Sequence, residues 1–156
     1  MYKYLFQRQS KRRNYILQKL EKIPIEDLRK RIPPNMWSIE ELIRHIIFTT
    51  DFWIKRIALQ DAMTPFHVLG VENDTQATKW YSLNEIAIGL EETYSMVTDL
   101  LKTNPDYTKE IIVPEISNEA FTIKWILWHI LQHELETWGQ IAERIRNYGF
   151  PTPWEF

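Results

Sequence analysis

The sequence predicts an all-α fold, a four-helix bundle with long crossover connections, and three observations carry that prediction. Apolar residues recur at helical spacing through four long stretches. Two Ser-x-x-Glu capping boxes and one threonine mark the starts of three of them. Prolines gather in the connections, at Pro24, Pro33, Pro34, Pro65, Pro105 and Pro114.

The first helix is expected from Tyr2 to Lys22, with Tyr4, Leu5, Arg8, Arg12, Tyr15, Ile16, Lys19 and Leu20 at helical intervals. It stops before Pro24, and residues 24–37 form a connection with room for one helical turn at Ile25–Lys30. Ser38-Ile-Glu-Glu41 is a capping box, with Trp37 placed as a hydrophobic staple. The second helix runs from there through Leu42, His45, Ile46, Thr49, Phe52, Trp53 and Ile57 to about Gln60. Residues 61–81, with Pro65, His67 and Gly70, are expected to be an irregular loop.

Ser82-Leu-Asn-Glu85 is a second capping box, opening a third helix that runs to about Lys102. Residues 103–121 follow, in which Glu110–Val113 suits a minor strand or an extended crossover. Thr122 caps a fourth helix that ends near Tyr148, with Gly149 as its C-terminal cap. Connections of about 20 residues argue against a plain up-down bundle. The tail, Gly149-Phe-Pro-Thr-Pro-Trp-Glu-Phe156, is apolar enough that Phe150 or Trp154 is expected to pack on the bundle or a second subunit.

At 156 residues the chain is expected to form a single domain, residues 1–156, with a substantial core. Cysteine is absent, which excludes disulfides, thiolate metal sites and a cysteine nucleophile. No apolar run reaches the ~18 residues of a membrane span, and the N-terminus lacks a signal-peptide stretch. A cytoplasmic protein without a membrane partner is the expectation. Residues 1–31 carry ten Lys/Arg against three Asp/Glu, and the remainder nine against eighteen. The basic runs Lys11-Arg12-Arg13 and Arg29-Lys30-Arg31 read as a solvated face, and no base-reading motif accompanies them. Nucleic acid is therefore not expected as a partner. Seven tryptophans in so short a chain suit a lined cavity or a homodimer interface.

His129 and His133 carry the chemistry. A spacing of four turns a helical side chain by about 40° and lifts it about 6 Å, so both imidazoles leave one face. Glu136 and Gln140 lie on the same stripe, and on the second helix Glu41, Thr49, Phe52 and Arg56 share the sector of His45. If the two faces meet, His45, His129 and His133 make a three-histidine site that leaves coordination positions open, as catalytic metals require. Imidazole ligation suits zinc or nickel.

Met36-Trp37-Ser38-Ile39-Glu40-Glu41-Leu42-Ile43-Arg44-His45-Ile46 resembles the "W-S-x-x-E-x-x-x-H-I" opening of the second helix in the DinB-like superfamily. The stretch from His129 and His133-Glu134 to Gly139-Gln140-Ile141, then Arg146 and Gly149, resembles that family's "H-x-x-x-H-E…G-Q-I…R-x-x-G" segment. The resemblance implies a four-helix metalloprotein related to bacillithiol- and mycothiol-dependent transferases, with a divalent metal on His45, His129 and His133. Many relatives have further histidines and an arginine just before the Gly-Gln, where this chain has Glu136, Thr137 and Trp138. Glu136 is accordingly the alternative to His129 as a ligand.

The function expected is transfer of a low-molecular-weight thiol to a small electrophilic substrate. Glu136 or Gln140 would orient a ligand imidazole or bound water, and Arg56 would meet a substrate carboxylate. A hydrolase using the same site and a non-enzymatic metal- or ligand-binding stress protein are the alternatives.

Overall fold

A computed structural model describes residues 1–61, 82–114 and 116–149. The expectations for His67 and the loop around it, and for Phe150 and Trp154, lie outside these residues. The described chain is mostly helical: α1 (Tyr2–Leu20), α2 (Ile25–Arg29), α3 (Ile39–Asp51), a π-helical turn (Phe52–Ala58), α4 (Leu83–Lys102), β1 (Glu110–Val113), β2 (Ser117–Thr122) and α5 (Ile123–Asn147). Among the described residues no helix is long and apolar enough to cross a membrane.

Local chemistry fixes the helix starts. Ser38 Oγ accepts from the Glu41 amide at 3.2 Å while Glu41 Oε2 accepts from the Ser38 amide at 2.8 Å. Ser82 and Glu85 repeat the box at 3.2 and 2.8 Å. The Thr122 hydroxyl accepts from the Trp125 amide at 3.1 Å, capping α5. Each such cap contributes about 1 kcal/mol. At the other end of α5 the chain leaves through Gly149, whose φ of 79° suits a residue without a Cβ.

Three features depart from the sequence reading. The helix that begins at Ile39 does not continue as α-helix to Gln60. It loosens after Asp51 into a π turn, in which the Leu59 amide reaches back to the Ile54 carbonyl at 2.9 Å. Gln60 then ends it in a left-handed conformation, φ 54°. A projection at 100° per residue therefore fails beyond Asp51.

Second, the fold is not wholly helical. β1 and β2 form an antiparallel hairpin in which Ile111 opposes Phe121, with an irregularity before Val113. Ile111 and Val113 face the core. The β2 sequence Ser-Asn-Glu-Ala-Phe-Thr is mostly exposed and poor in strand formers, which is why only β1 was legible.

Third, the buried stripe of α1 is Phe6, Gln9, Arg13, Ile16 and Leu20. Tyr4 and Tyr15, expected on the apolar side, are exposed. Arg13, expected on a solvated face, is buried because its charge is met inside. Its Nε and Nη2 donate to Glu134 of α5 at 2.5 and 2.7 Å, and its Nη1 donates to the Leu90 carbonyl of α4 at 3.0 Å. Glu134 also accepts from the Trp138 indole at 3.0 Å.

The core falls into two apolar clusters. One gathers Ile16 and Leu20 of α1, Leu28 of α2, Ile39–Ile47 positions of α3, Ile86 and Leu90 of α4, and Trp138, Ile141 and Ile145 of α5. The other gathers Phe6, Ile54 and Ile57, Val97 and Leu100, the hairpin residues Ile111 and Val113, and α5 from Ile123 to Leu131. Between them, along each long helix, stands a polar step that is also buried: Gln9 and Arg13, Thr49 to Asp51, Thr93, and Glu134. Burying a paired charge adds little net stability, but removing one partner strands the other.

Arg13→Ala should therefore cost about 3–5 kcal/mol in urea denaturation. The double variant Arg13→Met/Glu134→Leu should recover part of that loss, because no charge is left behind.

Candidate functional site

α3 packs against α5, and this contact carries the histidines. His45 lies in the middle of α3, His129 and His133 one turn apart on α5. The Nε2 atoms of His45 and His133 stand 3.3 Å apart, with ring centroids at 4.7 Å. His129 lies beside the pair, its ring centroid 5.7 Å from that of His133. Of the three histidines the sequence singled out, the structure brings His45 and His133 together across α3 and α5, with His129 one turn away. Among the described residues, no three His, Asp or Glu side chains are gathered closely enough to hold one ion together.

Aromatic rings frame the imidazoles. Trp37 meets His45 edge-on at 4.8 Å. The His129 ring lies between two indoles: Trp125 stacks on it at 4.7 Å with planes only 10° apart, and Trp53 of the π turn meets it at 4.8 Å and 66°. Trp53 in turn touches Trp125 and Phe121 of β2, each at 5.1 Å. The π turn and the hairpin thus supply the wall beside His129. The sequence reading placed Trp37 as a hydrophobic staple and gave the tryptophans together a lined cavity or an interface. Trp125 stands one turn before His129 and Trp53 one turn beyond Thr49, and that spacing was the available signal; Trp37, eight residues before His45, carried none.

Burial keeps the imidazoles neutral. It lowers the His45 pKa from 6.5 to about 4, and the neighbouring His133 adds to the effect. The pKa of His129 is also lowered, by burial and by His133, against the pull of the Glu136 carboxylate. Burial lowers that of His133 too, again opposed by Glu136. In a neutral pair one Nε2–H points at the other ring's lone pair. His133 Nδ1 is buried and has no hydrogen-bond partner.

The remaining predicted residues are placed as follows. Glu136 is exposed and accepts from Gln132 Nε2 at 2.9 Å, so it acts on His129 and His133 through its charge. Gln140 is exposed on the next turn of α5, and Arg56 is exposed on the π turn. Glu41, of the His45 sector, is engaged by Ser38 and Arg31.

Two features of the His45–His133 pair would suit a divalent ion. Two nitrogens each about 2.0–2.1 Å from a tetrahedral zinc stand about 3.3 Å from one another. The His45–His133 separation matches that edge. Metal binding also needs imidazoles without a proton on the ligating nitrogen, and burial disfavours the doubly protonated form.

Comparison with known proteins fixes the family. The sequence profile of the DinB superfamily matches residues 10–141. The chain belongs to the DinB superfamily. A solved DinB-like protein from Bacillus cereus ATCC 10987 superposes with a TM-score of 0.66 at 19% identity, over 100% of both chains. At that identity the likeness is one of fold. No curated protein matches the sequence. The profile spans both histidine segments of this DinB-superfamily chain, from within α1 to Ile141 of α5.

The depressed His45 pKa has a consequence for stability. Between pH 6.5 and about 4 the unfolded chain takes up a proton at this position that the folded chain refuses. Stability should accordingly fall as the pH drops through that window, and be unaffected by His45 above it. Urea midpoints measured from neutral pH downward should decline less steeply in His45→Gln than in the parent protein.

Proposed function

We propose that the chain is a divalent-metal-dependent enzyme that joins a small thiol to an electrophilic substrate. His45 and His133 would hold the ion, zinc or nickel by the chemistry of imidazole donors, and His129 would have to turn toward them to serve as the third ligand. The observation that supports this most is the pairing of two half-buried imidazoles, Nε2 to Nε2, at the edge length of a tetrahedral site. A bound divalent ion supplies one thing here, a lowered pKa for a coordinated thiol or water at neutral pH.

The protein's own groups do the rest. α3 and α5 hold the two nitrogens in place through core packing, so the site needs little reorganisation on loading. Trp37, Trp53 and Trp125 exclude water from the imidazole faces. The Glu136 carboxylate offsets part of the cost of bringing positive charge to His129 and His133. Gln140 and Arg56, both exposed, would meet the polar groups of incoming molecules rather than the ion. In the transfer itself the thiol would give up its proton to water, the sulfur–carbon bond would form, and the electrophile's leaving group would depart with its electron pair.

Protein prepared without a histidine tag should bind zinc or nickel stoichiometrically, by metal analysis after dialysis. His133→Ala should lose that metal while keeping the far-UV circular dichroism of the parent. The loaded protein should accelerate conjugation of a small thiol to a model electrophile, and His45→Ala should not. Metal binding with no rate enhancement across thiols would leave a binding protein and remove the transferase.

A further inference from the structure

The outer ridge of α5 carries large apolar side chains into solvent. Lys124, Trp128, Gln132, Leu135, Gly139 and Glu143 are all exposed and follow one another at spacings of 4, 4, 3, 4 and 4, which keeps them on one face of the helix. Trp128 is 58% exposed and Leu135 47%, so an indole and an isobutyl group stand open two turns apart. Gly139 is a second anomaly. It sits inside α5, where glycine is a poor helix former, yet a Cβ there would meet nothing within 4 Å. Packing within one copy does not require a glycine at this position.

The spacing of the ridge reads the same in both directions. When a second α5 runs antiparallel to the first, centred between Gln132 and Leu135, Lys124 falls opposite Glu143, Trp128 opposite Gly139 and Gln132 opposite Leu135. Opposite charges meet, and the largest side chain meets the position that has none. Neither Lys124 nor Glu143 forms an ion pair among the described residues, so both charges are available. The Gln132 amide is tied back to Glu136 at 2.9 Å, which leaves its carbon stem toward Leu135. A two-fold contact must be self-complementary in this way, because residue i meets j while j meets i. A partner of different sequence imposes no such symmetry on a single helix.

We propose that this ridge is the interface of a homodimer, in which two α5 helices pair antiparallel about a two-fold axis and Trp128 seats over the partner's Gly139. The proposal is independent of the metal reading. His133 leaves α5 about 100° around from Gln132 and meets His45 of α3, so the ridge and the histidine pair lie on different sides of the helix. One helix pair is at the small end of specific interfaces, so the dimer should dissociate on dilution.

The test is sedimentation velocity over a concentration series, which should show the parent protein passing from one chain to two. Trp128→Glu should raise the dissociation constant roughly 100-fold or more, as loss of a central aromatic anchor does. Its urea midpoint, measured where the parent is monomeric, should match the parent's because the indole is exposed in a single copy. Leu135→Glu should act in the same direction, which keeps the proposal testable if one variant folds poorly. Ile88→Glu, at an exposed apolar position on α4, should leave the equilibrium unchanged. Lys124→Glu and Glu143→Lys should each weaken the dimer about tenfold, two exposed pairs being lost at once, and the double swap should restore it. A parent that stays monomeric at every concentration, or a dimer indifferent to Trp128 and Leu135, would overturn the interface. A double swap that restores nothing would overturn the antiparallel pairing.

Discussion

Glu134 follows His133 directly, about 100° further around α5, and its carboxylate is gripped by Arg13 at 2.5 and 2.7 Å inside the protein. That grip admits only one rotation of α5. A helix turned by a third of a revolution would leave both charges buried and unpaired, a cost of several kcal/mol per ion. With Glu134 aimed at α1 and α4, His133 must aim elsewhere, and α3 fills that direction with His45. The basic residue of one helix thus determines where a histidine of another points, without touching it.

The same pair explains the placement of polarity in the core. An apolar cluster on either side would let the helices slide or rotate with little penalty, since isoleucine and leucine contacts are exchangeable. The buried step formed by Gln9, Arg13, Thr93 and Glu134 is not exchangeable, because each group has a directional requirement. Registry is the gain from a layer that adds little net stability. His133 lies at this same level on α5, between Leu131 and Trp138, where the core is already polar enough to hold it.

Much of this architecture was legible in the residues. The two capping boxes and Thr122 placed the helix starts because their chemistry is local, complete within four residues. Helical spacing put only His129 and His133 on one face, and the approach of His45 to His133 was implied by the family resemblance. What the sequence hid was non-local. Arg13 looked like part of a surface run because its partner is 121 residues away. The π turn carries no punctuation in Phe-Trp-Ile-Lys-Arg-Ile-Ala, so the projection that put Arg56 in the sector of His45 used the wrong angle per residue. β2 is held by its pairing with β1 and its continuity with α5 rather than by its own propensities.

The metal proposed above would sit between His45 and His133. Its most direct measurement is anomalous diffraction at the zinc edge from crystals grown with zinc. A peak about 2.0–2.1 Å from Nε2 of both His45 and His133 is the predicted result. Zinc bound elsewhere on the chain, with the two Nε2 atoms still facing one another and nothing between them, would contradict it.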